Sequence, residues 1–326
     1  MRLPVFFVCK VGKICYNRNM KDMQKKQQNT PSALAERLTA EKTSGIAFSA
    51  ATLLPTLLAV IFLIIGNAFG LFAEGYEEKD WYRYCNFLLP QIAFCAIGVF
   101  YFCATKEKIS SVASVPKARY FIIALLLQAG LFSLGDLNGY FLQFLEKFGY
   151  EDTPIVLPST DGAKVLLVLF VVALLPAIFE ELLFRGILLK GLRSFPVWAA
   201  ALMCGGLFSI FHMNPAQTLY QFCCGVAFAY VAVRSGSILP TVLMHLINNG
   251  TVIVLEACGA SLERLPIPLF IASLVCLLAT MAYLIFVDRS REERERKGDR
   301  VGFFLCASVG ILVSALTWIT ILIGGV

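Results

Sequence analysis

Charge and histidine are what this chain has least of. Of its 326 residues, 15% are charged, where an ordinary soluble domain has about 25%. There are only two histidines, His212 and His245, and both lie inside apolar segments. The 11 cysteines include no C-x-x-C pair, and most sit in apolar runs, where they read as small apolar fillers. The vicinal Cys223 and Cys224 read the same way, as packing. The alternation of apolar and polar residues that marks a barrel strand is missing, and so is any internal repeat. No polar stretch is long enough for a separate soluble domain. Together these absences argue against a soluble enzyme, a redox protein and a membrane barrel.

Apolar length is what the chain has in excess. It is 58% hydrophobic, with a mean hydropathy of +0.74. Apolar runs of 18 or more residues recur, so the expected fold is all-α, a polytopic helical membrane bundle of eight to nine transmembrane helices. The candidate spans are 46–72, 85–104, 120–145, 165–189, 197–213, 216–233, 237–254, 267–287 and 301–326. The third carries Asp136, Asn138 and Gln143 in its second half, which is expected in a cavity or at the interface.

Basic residues divide unevenly between the loops. With the N-terminus inside, twenty-two of the 28 Lys and Arg fall in inside segments and five in outside ones, while Arg185 lies within a span. That asymmetry places the N-terminus in the cytoplasm and, with nine spans, the C-terminus outside. In a bacterium the membrane would be the plasma membrane. The net charge of +6 is explained by this asymmetry, and no nucleic-acid partner is called for. Residues 1–45 read as a basic cytoplasmic segment, disordered around Gln24 to Thr30, with a short interfacial helix from Ser32 to Thr43. Lys10 and Lys13 interrupt the apolar start, so no signal peptide is expected, and Met20 or Met23 is an alternative start. Residues 46–326 form the membrane domain. The mixed-sign run from Asp288 to Arg300 reads as a solvated helix.

Three polar clusters interrupt the spans. The first is Glu180-Glu181-x-x-x-Arg185, the second Phe208-x-x-x-His212, the third His245-x-x-x-Asn249. Charge at membrane depth is costly and calls for a function or a partner. Glu181 and Arg185 are four apart and can pair on one helical face. Glu180 is rotated about 100° away and has no such partner. Counted from the turn near Leu192 to Pro196, Glu180 and His212 lie roughly 18 and 24 Å along their helices, at comparable depth. His245 is about 12 Å in from Ser237.

The residue types suit hydrolysis of a carbonyl compound. A carboxylate in a dry site can take a proton from water, and histidine can orient that water. An asparagine amide can donate to a developing oxyanion. Glu180, His212 and His245 could instead bind zinc, although not at the H-E-x-x-H spacing. Asn248 reads as a helix-pairing residue, and Asn214 with Gln217 as a helix break and cap. Gly205 and Gly206 read as sites of close helix approach.

The order E-E-x-x-x-R, F-x-x-x-H, H-x-x-x-N on successive spans resembles the CPBP (Abi) family of intramembrane proteases, which includes the type II CAAX prenyl endopeptidases. Every signature position is filled, and Gly186 after the arginine fits as well. The resemblance covers roughly 165–254, the expected catalytic core. It implies an endopeptidase acting on a membrane-associated or prenylated peptide. Glu180 and His212 would activate water, and His245 with Asn249 would hold the oxyanion. Glu181 and Arg185 would be a supporting pair, and Phe208 packing or a wall of the site. It implies no catalytic metal, with zinc on Glu180, His212 and His245 as the alternative. Two rival readings stand beside it: a non-proteolytic immunity or secretion factor of the same family, and a proton-coupled transporter. The transporter ranks last, since no pair of broken helices recurs in two halves.

Overall fold

The computed structural model describes residues 39–152, 155–260, 265–288, 290 and 298–324. Among these there is no strand. Nine helical passes follow one another: α1 Ala40–Ala68, α2 Asp80–Thr105, α3 Arg119–Glu146, α4 Lys164–Gly191, α5 Val197–Phe211, α6 Pro215–Ser235, α7 Leu239–Ala257, α8 Ile267–Val287 and α9 Arg300–Gly324. Eight are long and apolar enough to cross a bilayer. The exception is α5, expected to span 197–213. It has 15 residues, about 22 Å against an apolar thickness of about 30 Å. It stops early because Met213 adopts φ 53, in the left-handed region, and Asn214 caps the turn that follows.

The first and last helices run parallel. Ser49 of α1 donates to Cys306 O at 2.7 Å and accepts from Gly310 N at 3.1 Å, while Gly45, one turn earlier, faces Phe303 and Ala307. Both therefore start at the same end of the bundle, and the chain between them makes an odd number of passes, with α5 the short one.

The segments expected on the cytoplasmic side gather at that starting end. Lys190 pairs with Glu107, and Arg300 donates to Ser194 O. Lys42 pairs with Asp299 at 3.3 Å and Arg119 with Asp288 at 2.9 Å. Asp288 is extended and buried, and also accepts from Tyr120 Oη at 2.7 Å. Residues 289 and 291–297 of the expected 288–300 helix lie outside the described residues, as do 1–38 with the N-terminal expectations that fall there. At the opposite end Phe62, Phe72, Tyr76, Trp81 and Tyr82 pack together, the composition of an interfacial aromatic belt.

Packing inside a bilayer depends on close approach, since lipid is as apolar as the side chains. Helices α5 and α6 show it. A Cβ on Gly225 would sit 2.7 Å from Gly205 Cα. Gly206 does not share this role, because it turns toward open space. Helix α3 breaks at Phe132 and Ser133, and its second half carries Asn138 to the start of α6. There Asn138 donates to Ala216 O at 2.8 Å and accepts from Tyr220 N at 3.1 Å. Asn138 thus serves a helix N-terminus, whose amides have no intrahelical partner. Helix α4 is the central element, buried continuously from Leu183 to Leu192.

Candidate active site

Helix α4 is not a regular α-helix. Leu169–Leu174 and Leu182–Leu188 are π-helical and flank the α-helical segment Leu175–Glu181. Pro176 contributes, because it has no N–H to donate to Val172 O four residues back. Wide turns of this kind gather at functional sites. Here they set the direction of the two carboxylates.

Glu181 is fully committed on one oxygen. Its Oε1 accepts from Arg185 Nη1 at 2.7 Å and from His245 Nδ1 at 3.0 Å. Glu181 is 0% exposed, Arg185 3% and His245 5%. Arg185 Nη2 donates to Gly225 O at 3.2 Å, and the guanidinium lies 4.3 Å from the Phe208 ring and 5.2 Å from that of Phe228. One guanidinium and one carboxylate thus tie α4, α5, α6 and α7 together. Phe208 is the wall beneath them, and its ring also meets His212 edge-on at 4.7 Å. The Glu181–His245 bond has no signal in local spacing. It joins residues 64 apart, whereas the i, i+4 rule pointed only to Arg185.

Glu180 is placed differently. It is half-buried, and its Oε2 has no hydrogen-bond partner among the described residues. Glu180, His245 and Arg185 all lie within electrostatic reach of His212. His212 Nδ1 is 2.7 Å from Phe208 O. A carbonyl only accepts, so Nδ1 carries the proton and Nε2 presents a lone pair. His245 is oriented in the same manner, with Nδ1 donating to the Glu181 carboxylate and Nε2 left for another partner.

Asn249 lies on the same helix as His245, one turn further on. Its Nδ2 donates to Val172 O at 3.4 Å, and its Oδ1 accepts from Asn248 Nδ2 at 3.2 Å. Asn214 caps the turn before α6 through Ala216 N at 2.9 Å and stands outside the cluster. A cavity of about 210 Å³ reaches Arg185 from the basic end, lined also by Ser111, Lys190, Arg193 and Ser237. Glu180, His212, His245 and Asn249 do not line it.

Zinc on Glu180, His212 and His245 would need ligands from three separate helices, α4, α5 and α7. Among the described residues no three His, Cys, Asp or Glu side chains are grouped to hold a metal ion.

No curated protein and no solved structure matches the chain. Residues 162–251 match the family model described as "Type II CAAX prenyl endopeptidase Rce1-like". That interval contains all seven motif residues and runs from the start of α4 into α7. Over that interval, which includes the three polar clusters, the chain is similar to the type II CAAX prenyl endopeptidases.

Proposed function

We propose that this protein is an intramembrane endopeptidase in which Glu180 and His212 activate a water molecule against a peptide bond. The observation that carries this reading is the contrast between adjacent carboxylates. Glu181 spends its Oε1 on Arg185 and His245 and so holds helices together, while Glu180 makes no side-chain hydrogen bond to any described residue and keeps its Oε2 buried without a partner. A buried polar atom of that kind calls for an explanation, and a reacting water supplies one.

In the proposed step, Glu180 and the lone pair on His212 Nε2 accept the two hydrogens of the water. Glu180 takes one proton as the water oxygen bonds to the scissile carbonyl carbon, and the carbonyl oxygen becomes an oxyanion. His245 and the Asn249 amide donate to that oxyanion. To donate from Nε2, His245 must be protonated on both nitrogens, and Glu181 supplies the counter-charge. Collapse breaks the C–N bond, and the proton held by Glu180 passes to the leaving amine. The second proton of the attacking water passes to His212 Nε2 and from there to the amine, so the products are a carboxylate and an ammonium group, and the proposed step uses no metal.

The substrate class follows from setting and family. A membrane-embedded site selects peptides already held at the bilayer, and the family description names prenylated ones. We place the basic end in the cytoplasm, by the excess of Lys and Arg there. The test is peptide hydrolysis by purified, folded protein. Glu180→Ala, His212→Ala and His245→Ala are each expected to abolish it. Full activity in Glu180→Ala would overturn the mechanism.

A further inference from the structure

Asn249 does not stand alone. Its neighbour Asn248 accepts two hydrogen bonds on a single oxygen, from Tyr220 Oη at 2.7 Å and from Gln128 Nε2 at 3.1 Å. With its carbonyl so occupied, Asn248 turns its amide nitrogen to Asn249 Oδ1 at 3.2 Å. The carbonyl of Asn249 is taken in turn, and its NH2 group is what remains to be presented. One of those hydrogens goes to Val172 O at 3.4 Å, the carbonyl that Pro176 cannot serve. The second N–H is left over. The bonds therefore run in one direction, from Tyr220 and Gln128 through Asn248 to Asn249.

We infer that Tyr220, Gln128 and Asn248 are positioning residues that fix the Asn249 side chain with its N–H, and not its C=O, toward the reacting carbonyl oxygen. This rests on the peptidase reading above, in which Asn249 donates to the oxyanion. A primary amide is nearly symmetric in shape, and in a loose site it can rotate by half a turn and present an acceptor. An acceptor facing an oxyanion repels it. A relay whose donors come from α3 and α6 and whose last acceptor is on α4 removes that freedom. It lets the donor be in place before charge develops, the condition under which such groups contribute most. None of the three residues belongs to the E-E-x-x-x-R, F-x-x-x-H or H-x-x-x-N patterns. Gln128 is fully buried, so its amide is held by the protein interior alone.

The test is a double-mutant cycle on peptide hydrolysis with Tyr220→Phe, Asn249→Ala and the pair together. Tyr220→Phe keeps the ring, and Gln128 still serves Asn248. The expected result is a fall in kcat of about tenfold with little change in KM, smaller than the loss of about 10²–10³ from deleting an oxyanion donor outright. In the Asn249→Ala background the same substitution is expected to do nothing further, because there is no amide left to orient. Gln128→Met, similar in length and without an amide, should behave alike if Tyr220→Phe proves unstable. Effects that multiply in the double variant, or a kcat unchanged in both single relay variants, would overturn the inference while leaving the peptidase reading intact. Absence of hydrolysis by the wild-type protein on every peptide would instead overturn the peptidase reading, and this inference with it.

Discussion

Replacing Arg185 by methionine should be among the most damaging single changes in the bundle. It removes the bond to Glu181 Oε1 at 2.7 Å, the bond to Gly225 O at 3.2 Å and the stacking on Phe208. Glu181, 0% exposed, is left with His245 as its remaining partner. Removing one partner of a buried ion pair costs about 3–5 kcal/mol, because the other charge remains buried. Against a typical total of about 5–15 kcal/mol, that is a large share. Arg185→Lys should fall between the two. An ammonium is a point donor and cannot serve Glu181 and Gly225 O in the planar fork that a guanidinium offers. The double variant Arg185→Met/Glu181→Gln should recover much of the loss, since the orphaned carboxylate is its main source. The assay is reversible unfolding in mixed micelles, followed by far-UV circular dichroism. An Arg185→Met protein within about 1 kcal/mol of wild type would refute the argument, as would a double variant no more stable than the single one.

Other expectations follow from single contacts. Gly225→Ala forces a methyl toward Gly205 Cα at 2.7 Å, and should lower thermal stability by about 1–3 kcal/mol, measured by the same unfolding assay. Asp288 is opposed by its burial, but the Tyr120 hydroxyl, the Ser290 amide and hydroxyl, and Arg119 outweigh it and hold its carboxyl below the usual range. A lowered folded-state pKa stabilises the protein above the unfolded value of about 3.9 and loses that contribution as pH falls through the folded value. Asp288→Asn should therefore destabilise the basic end at neutral pH, with the gap from wild type closing in acid, as followed by melting temperature against pH. Exhaustive chelation should leave peptide hydrolysis unchanged, and a loss restored by zinc would contradict the metal-free step.

How much of this was legible in the sequence differs by level. The passes of the bundle, and the basic end that gathers them, could be read because apolar length and Lys/Arg asymmetry are local, additive signals. The short α5 could not, since Phe211 to Met213 are as apolar around His212 as the rest of that span. Only the backbone at Met213 and the Asn214 cap end it. The pairing of Glu181 with Arg185 was legible because i, i+4 geometry is fixed within one helix. Its bond to His245 was not, since a contact between residues 64 apart is decided by tertiary packing. Asn248 was noticed as a helix-pairing residue, but its relay needs Gln128 from α3 and Tyr220 from α6, and no motif links those positions. The π-helical turns of α4 lay beyond pattern reading too. Pro176 leaves the Val172 carbonyl without its helical donor, and where that carbonyl turns is decided by Asn249 from another helix.

The claim at the centre is that Glu180 activates water for peptide hydrolysis. It is tested most directly by mass spectrometry of prenylated and unprenylated peptides incubated in detergent with wild-type protein or Glu180→Gln. Because Glu180 Oε2 has no partner to lose, the variant should fold as wild type does. The account predicts cleavage of at least one membrane-anchored peptide by the wild type and none by Glu180→Gln at equal folded concentration. Equal cleavage by both proteins, or no cleavage by either, would contradict it.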